Sequence, residues 1–159
     1  MAVKFGKAFG CHTTVISRGT SKKSSAMDLL KADEFLDSTN EDAVAAKASS
    51  FDFIISTISA PFDINAIVNL LTFNGTLVLV GAPPEPLALG TFPLLFGRRK
   101  VGGSIIGGTK ETQEMLDFCG QHNIVCEIEK IPASYINEAY ERCMAADVKY
   151  RFVIDASTF

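Results

Sequence analysis

Several features that identify common classes of protein are absent from these 159 residues. There is no tryptophan, and His12 and His122 are the only histidines. The four cysteines form no Cys-x-x-Cys pair, and with only two histidines the chain shows no cluster of the three or four Cys, His or carboxylate ligands that a zinc site needs. The sequence therefore predicts reduced, structural cysteines and no metal site.

The chain also lacks long apolar runs and a strong excess of either charge. No run approaches the roughly 18–20 apolar residues of a membrane-spanning helix. A net charge of −3 provides no basic surface for nucleic acid or anionic lipid. The first ten residues carry lysines at helical spacing and no apolar signal region. We expect a cytoplasmic protein with no nucleic-acid or membrane partner.

The stretch 75–83 organises the fold prediction. Asn74-Gly75 is a turn signal, four consecutive aliphatic residues end at Val80, and Gly81-Ala82-Pro83 follows. Four aliphatics in a row favour a strand buried on both faces, as in a parallel sheet covered by helices. Ligands bind beyond the carboxyl ends of such strands, where Gly81 would let a backbone approach closely.

Strands and helices alternate along most of the chain. Strands are predicted at 13–17, 34–36, 51–57, 76–81, 101–106, 127–131 and 150–154, and helices at 1–9, 22–30, 40–48, 64–71, 92–96, 109–122 and 135–146. This alternation, with short connections, predicts an α/β fold with a mostly parallel sheet. The character changes after Gly107-Gly108.

The segment that follows the strand at 13–17 is rich in cations and hydroxyls. In dinucleotide-binding sheets an acid at this place accepts the ribose hydroxyls of NAD, whereas basic and hydroxyl groups accommodate the 2′-phosphate of NADP. Residues 17–23 read Ser-Arg-Gly-Thr-Ser-Lys-Lys and contain no acid. Arg18, Lys22 and Lys23 could form charge-assisted bonds to a phosphate. The alternative is a solvated, lysine-rich start of a helix.

Several segments carry a resemblance to a known family, namely 1–10, 15–17, 22–23, 77–83, 92–95, 110–115 and 146–155. They closely resemble the plant cinnamyl alcohol dehydrogenases, and most of all the subgroup often labelled mannitol dehydrogenase. These are zinc-dependent, NADP-preferring medium-chain alcohol dehydrogenases, and the resemblance covers essentially the whole chain. It implies a small-molecule alcohol or aldehyde substrate for the intact family, and a homo- or heterodimer through edge strands.

The resemblance also implies cofactor-binding residues in three places. Those around the 2′-phosphate are Ser17, Arg18, Gly19, Lys22 and Lys23; Thr57 and Gly81 lie at strand ends; and Ser104, Ile105 and Ile106 lie near the nicotinamide. Three positions depart from the family pattern: Arg18-Gly19 replaces Thr-Ser or Ser-Ser, Ser56 replaces an aspartate, and Lys31 replaces a helix-ending glycine. A lysine in a left-handed cap costs about 1 kcal/mol.

The family carries features that these residues do not. No Gly-x-Gly-x-x-Gly turn is present to hold a pyrophosphate, and no zinc ligands occur, although the intact family binds zinc. The expectation is a Rossmann-like, doubly wound parallel sheet lacking its first strand and Gly-rich loop (1–106), followed by a C-terminal α+β piece of the catalytic domain (107–159).

Three functional hypotheses follow. The chain is a truncated alcohol dehydrogenase that is inactive alone, or a non-catalytic nucleotide-binding or dimerisation module that pairs with full-length relatives. The third, an unrelated nucleotide-binding protein such as a methyltransferase, fits poorly because it also needs a glycine turn and an acid after the second strand. The substrate is not determined by these residues.

A doubly wound sheet ordered 3-2-1-4-5-6 places its first strand between the second and the fourth. Here the strands at 13–17 and 53–56 would flank that position. Their unpaired backbone groups must meet water, each other or another chain. We therefore expect a chain that is marginally stable, prone to aggregate, or closed by direct pairing of these two strands.

Overall fold

The computed structural model describes all residues from Met1 to Phe159. It divides into two compact units: Ala2–Thr112, and Gln113–Phe159 together with Met1. The division falls six residues after the boundary predicted at 106/107.

The Ala2–Thr112 unit alternates strands and helices. Its strands are β1 (Thr14–Ser17), β2 (Glu34–Asp37), β3 (Phe51–Ser56), β4 (Leu71–Leu79) and β5 (Lys100–Gly103). Its helices are α1 (Ala2–Ala8), α2 (Glu41–Ala46), α3 (Ile64–Asn69) and α4 (Thr91–Gly97), and a π-helical turn covers Ser25–Leu29. The next helix, α5, runs from Thr109 to Gln121 across the division.

These strands form two parallel sheets. β1 pairs with β2, and Ser17 lies opposite Asp37 in the register. β4 pairs with β3 on one side and β5 on the other, also in parallel. The predicted α/β fold with parallel sheets is confirmed. β1 and β3 do not pair with each other, so direct closure of the position between them is wrong.

The strand β4 differs from its prediction at both ends. It begins at Leu71 rather than at residue 76, because Asn74-Gly75 forms a bulge inside the strand and not a turn before it. Asn74 has a left-handed backbone (φ 63°), and the pairing of β3 with β4 shifts between Phe51 and Phe53. A Cβ on Gly75 would lie 3.1 Å from the carbonyl oxygen of Phe51, a tight contact that favours glycine in the bulge.

A hydrophobic core lies mainly between α3 and the sheet β3–β4–β5. Val68, Leu71 and Leu77 are completely buried. Leu36 of β2 belongs to the same cluster, and Ile16 of β1 packs against it while remaining partly exposed. The expectation that the central strand is buried on both faces is only half correct, because Val80 directly after β4 is 47% exposed.

Polar caps fix several helix ends in the Ala2–Thr112 unit. The side chain of Asn40 accepts a hydrogen bond from Ala43 N at 3.0 Å, which confirms its predicted N-cap role for α2. Gly10 ends α1 with a left-handed backbone, φ 75°. Lys31 also adopts φ 59°, as its position in place of a glycine predicted.

An aspartate fastens α1 to the first strand. Asp33 accepts hydrogen bonds from the backbone N–H and the hydroxyl of Thr13, at 2.7 and 3.0 Å, and its other oxygen lies 2.5 Å from the Lys7 ammonium. The Lys7 ammonium and the Thr13 donors lower the pKa of Asp33 well below its usual range. We call Lys7, Thr13 and Asp33 the Asp33 cluster.

The second unit holds a small parallel sheet. β6 (Glu129–Pro132) pairs with β7 (Phe152–Asp155), and α6 (Ile136–Met144) connects them through the short 3-10 turn Ala133–Tyr135. A second 3-10 turn, Ala156–Thr158, ends the chain. The elements agree with the predicted helix and strands to within a few residues.

One arginine joins the elements of this unit. The Arg142 guanidinium donates to Glu129 at 2.8 Å and to Asp147 at 3.0 Å, and it lies 4.9 Å from the centre of the Phe152 ring. The Lys149 backbone N–H and the Arg142 side chain lower the pKa of Glu129. The two carboxylates raise the pKa of Arg142. We call Arg142, Glu129, Asp147 and Phe152 the Arg142 cluster.

None of the helices is both long and apolar enough to cross a membrane.

Candidate functional site

The carboxyl ends of β3, β4 and β5 bring four predicted site residues to one edge of the sheet. Thr57 directly follows β3, Gly81 follows β4 by two residues, and Ser104 and Ile105 follow β5. An open groove of about 310 Å³ lies there, lined by Leu79, Val80, Gly81, Ala82, Gly103, Ser104 and Ile105. This is the place where open parallel sheets bind ligands.

Gly81 is needed for the close approach of two loops. Its N–H donates to the Ser56 carbonyl at 3.2 Å, and a Cβ there would lie 2.4 Å from the Ile58 carbonyl oxygen. No real side chain tolerates such a distance. The sequence predicted that Gly81 lets a ligand approach the backbone; the structure shows that the approaching backbone is the segment after β3.

The residues that follow β5 are held at only one point. Ser104 donates its N–H to the Leu79 carbonyl at 3.1 Å, beside the groove. The strand ends at Gly103 and not at Ile106, so Ile105 and Ile106 are 83% and 91% exposed. Ile106 has a left-handed backbone (φ 50°) and is not among the groove residues.

Ser56 occupies the last position of β3 and is buried, yet its hydroxyl has no hydrogen-bond partner. Buried hydroxyls are almost always hydrogen-bonded, so the Ser56 hydroxyl can still form a hydrogen bond at the end of β3, next to Thr57. It is the position at which the family pattern carries an aspartate.

The second group of predicted residues follows β1. Ser17 ends the strand and is partly buried, and Gly19 adopts φ 66°. The side chains of Arg18, Lys22 and Lys23 are exposed and pair with no carboxylate. Three positive charges therefore stand at the carboxyl end of β1 with donors available to an anion.

An acidic residue that the sequence analysis did not select reaches this same loop. One carboxylate oxygen of Asp37 accepts hydrogen bonds from Gly19 N at 2.8 Å, Thr39 N at 2.9 Å and Thr39 Oγ1 at 2.7 Å. The Thr39 bonds, together with Gly19, lower the pKa of Asp37, so the group is ionised at neutral pH. The segment 17–23 itself contains no acid, but the neighbouring strand supplies one.

The parallel pairing of β1 with β2 explains why Asp37 arrives there. Ser17 and Asp37 are partners in the register, so both strands deliver their last residues to one edge. The signal in the sequence was a strand at 34–36 followed directly by an acid. The segment after the first strand does not contain Asp37, so that segment alone could not predict the contact.

The residues present fit a phosphorylated dinucleotide at two separate places. The loop after β1 offers cationic side chains without partners, and the groove beyond β4 and β5 offers backbone and small side chains. Zinc has no such place in these residues, because no group of three or more His, Cys, Asp or Glu side chains could hold a metal ion. We assign none of them to zinc.

Comparison with known proteins gives close relatives over nearly the whole chain. Mannitol dehydrogenase of Petroselinum crispum is 53% identical over 157 residues, which is 99% of this chain and 47% of the relative. Cinnamyl alcohol dehydrogenase 2 of Rauvolfia serpentina is 53% identical over 155 residues, 98% of this chain and 43% of the relative. The chain therefore spans less than half the length of the curated relatives it matches.

Solved structures have the same fold. A cinnamyl alcohol dehydrogenase from Sorghum bicolor superposes with a TM-score of 0.92 at 43% identity, over 99% of this chain and 44% of that one. The cinnamyl alcohol dehydrogenase of Helicobacter pylori complexed with NADP(H) gives a TM-score of 0.82 at 40% identity over the same shares. The fold is thus the Rossmann-like nucleotide-binding fold of medium-chain alcohol dehydrogenases.

The family model described as zinc-binding dehydrogenase matches residues 1–121, which include every predicted cofactor-binding position. With close relatives named as plant alcohol dehydrogenases and a parallel-sheet fold shared with solved ones, the chain belongs to the zinc-binding dehydrogenase family.

Proposed function

We propose that this chain provides the NADP(H)-binding part of a plant alcohol dehydrogenase that reduces cinnamyl-type aldehydes to alcohols reversibly. The observation that carries the proposal is the convergence of Thr57, Gly81 and Ser104 at the carboxyl ends of three adjacent strands, beside a groove open to solvent. A solved relative complexed with NADP(H) supports the choice of cofactor. When bound, the nicotinamide supplies or accepts the hydride.

Each part of the site has a separate task in this proposal. The cationic side chains of Arg18, Lys22 and Lys23 bind the 2′-phosphate of the adenosine half. The groove lined by Gly81, Ser104 and Ile105 positions the nicotinamide half, where exposed isoleucines provide an apolar contact. The two parts belong to different sheets, and in this proposal one extended ligand contacts both.

Calorimetric titration with NADPH and NADH tests the cofactor assignment. We expect tighter binding of NADPH, and we expect Lys22→Glu to weaken NADPH more than NADH because the new charge repels the 2′-phosphate. Lys110→Glu is the matched control, since it makes the same charge change at an exposed position of α5. Equal binding of both cofactors, or an equal loss in both variants, would contradict the assignment.

We further expect no reduction of cinnamaldehyde by the isolated 159-residue chain, because its residues offer no ligand group for the metal that polarises the substrate oxygen. The measurement is NADPH consumption by purified protein with parallel metal analysis. Aldehyde-dependent consumption with stoichiometric zinc would show that a complete active site forms from these residues.

A second candidate is a module for dimerisation with itself or with full-length relatives. One specific observation favours it: β5 pairs with β4 on one side only, so its other edge is free to add a strand. Light scattering after size-exclusion chromatography tests this, with Gly103→Pro removing one N–H from the free edge, since the neighbouring Ser104 N–H points to Leu79 of the other strand. A monomeric wild type would refute self-association, and a monomer that also fails to bind a full-length relative would refute the module.

A further inference from the structure

We propose that Asp37 weakens the preference of this chain for NADP(H): its carboxylate accepts the Gly19 N–H in the loop after β1 and disfavours a 2′-phosphate relative to a 2′-hydroxyl. The inference rests on the proposed function and refines it. Asp37 ends β2, whereas the residue usually taken to decide between NAD and NADP follows the neighbouring strand, here β1.

The first argument is the hydrogen bond between Asp37 and Gly19. The Gly19 N–H donates to the carboxylate at 2.8 Å, so this backbone donor in the middle of the loop 17–22 is already used. An incoming phosphate must compete with a carboxylate for that donor or do without it. Both groups are anions and need the same kind of donor.

The second argument is charge. Asp37 is held in its ionised form by the hydrogen bonds from Thr39 and Gly19. A fixed negative charge beside Arg18, Lys22 and Lys23 offsets part of the attraction that these three cations offer to a phosphate. The charge is partly buried, so salt screens it less than a fully exposed one.

The third argument is the second carboxylate oxygen. All three hydrogen bonds to Asp37 reach the same oxygen, Oδ1. The other, Oδ2, has no protein donor and can accept a ribose hydroxyl, which is the role that an acid plays in NAD-binding sheets. The residue thus opposes one cofactor and accommodates the other.

Binding of two fragments to the full 159-residue chain tests the inference without any catalytic readout. The probes are adenosine 2′,5′-bisphosphate and adenosine 5′-monophosphate, measured by calorimetry. We expect Asp37→Asn to bind the bisphosphate about tenfold more tightly than wild type, since a like-charge contact near the surface is removed while an oxygen acceptor for Gly19 remains. The monophosphate should bind equally or more weakly.

Two variants act as controls. Asp42→Asn removes the same charge from the exposed first turn of α2, and Thr39→Val removes one hydrogen bond to Asp37 but leaves its charge and its contact with Gly19. Neither should change the ratio of the two affinities. An equal change in Asp42→Asn would mean that net charge alone is responsible and would overturn the role of Asp37.

The outcomes separate this inference from the proposed function. If wild type prefers the bisphosphate and Asp37→Asn leaves the ratio unchanged, the specificity role is refuted and the proposed function stands. If Asp37→Asn shifts the ratio while Lys22→Glu does not, the role of Asp37 stands and the assignment of Lys22 fails. Binding of neither probe to any variant would refute both.

Discussion

The two parallel sheets of the Ala2–Thr112 unit are stabilised in different ways. The sheet β3–β4–β5 packs on Leu71, Leu77 and Val68, all completely buried. The sheet β1–β2 contributes one buried side chain to this core, Leu36 at 4% exposed. It is otherwise held by the carboxylates of Asp33, Asp37 and Glu34, the last in an ion pair with Lys47. The groove thus belongs to an apolar sheet, and the cationic loop belongs to one whose ends are fixed by polar contacts.

This difference shows why one half of the site is built mainly from backbone and the other mainly from side chains. Apolar packing positions the ends of β4 and β5 closely enough for backbone groups and glycine to shape a groove. The end of β1 instead depends on hydrogen bonds between residues about twenty positions apart in sequence. Charge at these bonds then affects the conformation of the loop.

The largest effect on stability is expected from adding a strand between β1 and β3. β1 and β3 each have one unpaired edge, so an apolar strand and Gly-rich turn fused before Met1 should pair with both. Burial of about four apolar side chains corresponds to roughly 6–12 kcal/mol of unfolding free energy. Thermal melts measure it, with a proline in the middle of the added strand as the control. Identical melts for both fusions would show that the position accepts no strand.

A core substitution should come second. Leu77→Ala removes a completely buried side chain and should lower the unfolding free energy by about 2–5 kcal/mol. Ile105→Ala, in a side chain 83% exposed, should change it by less than about 0.5 kcal/mol. Urea unfolding of both variants compares them. A small effect of Leu77→Ala would contradict the assignment of the core to the β3–β4–β5 sheet.

Gly81 provides a test of the groove itself. Gly81→Ala places a Cβ 2.4 Å from the Ile58 carbonyl oxygen, and the forced shift should cost about 1–3 kcal/mol and weaken NADPH binding. Gly102→Ala is the matched control, because a Cβ at Gly102 meets nothing within 4 Å. The two variants are compared by thermal melts and calorimetry. Equal behaviour would mean that the close approach at Gly81 is not maintained.

The smallest effect is expected from pH acting on the Asp33 cluster. The folded pKa of Asp33 lies below its ordinary value of about 3.9, so the stability it contributes is complete above that value and is lost as pH falls through the folded pKa. The Tm difference between wild type and Asp33→Asn should therefore be constant from pH 7 to about 5 and shrink below about pH 4.

The control for this pH series is Asp28→Asn, at an exposed aspartate of the π-helical turn. Its Tm should follow that of wild type at every pH. A difference between wild type and Asp33→Asn that stays constant down to pH 2 would show that the charge of Asp33 does not contribute.

Most of the fold could be predicted from local patterns. Aliphatic runs predicted the strands, the alternation with helices predicted the α/β class, and Asn40 caps α2 as its position predicted. The bulge at Asn74-Gly75 was missed because the same dipeptide that opens a turn also fits a left-handed bulge inside a strand.

The candidate site was less predictable because its parts meet through pairing between strands. Asp37 reaches Gly19 only because Ser17 and Asp37 are register partners, and register is a property of two segments that no single stretch reveals. Gly81 was selected for the approach of a ligand, which stays a prediction, whereas its close contact with Ile58 depends on the path of another loop.

The Arg142 cluster limits which substitutions the second unit tolerates. A planar guanidinium bonds to Glu129 and Asp147 in two directions while its flat face covers the Phe152 ring. A lysine keeps the charge but has neither the several fixed N–H donors of the guanidinium nor its flat face. Natural variation at this position should therefore exchange arginine for lysine rarely, and then together with changes at Asp147 or Phe152.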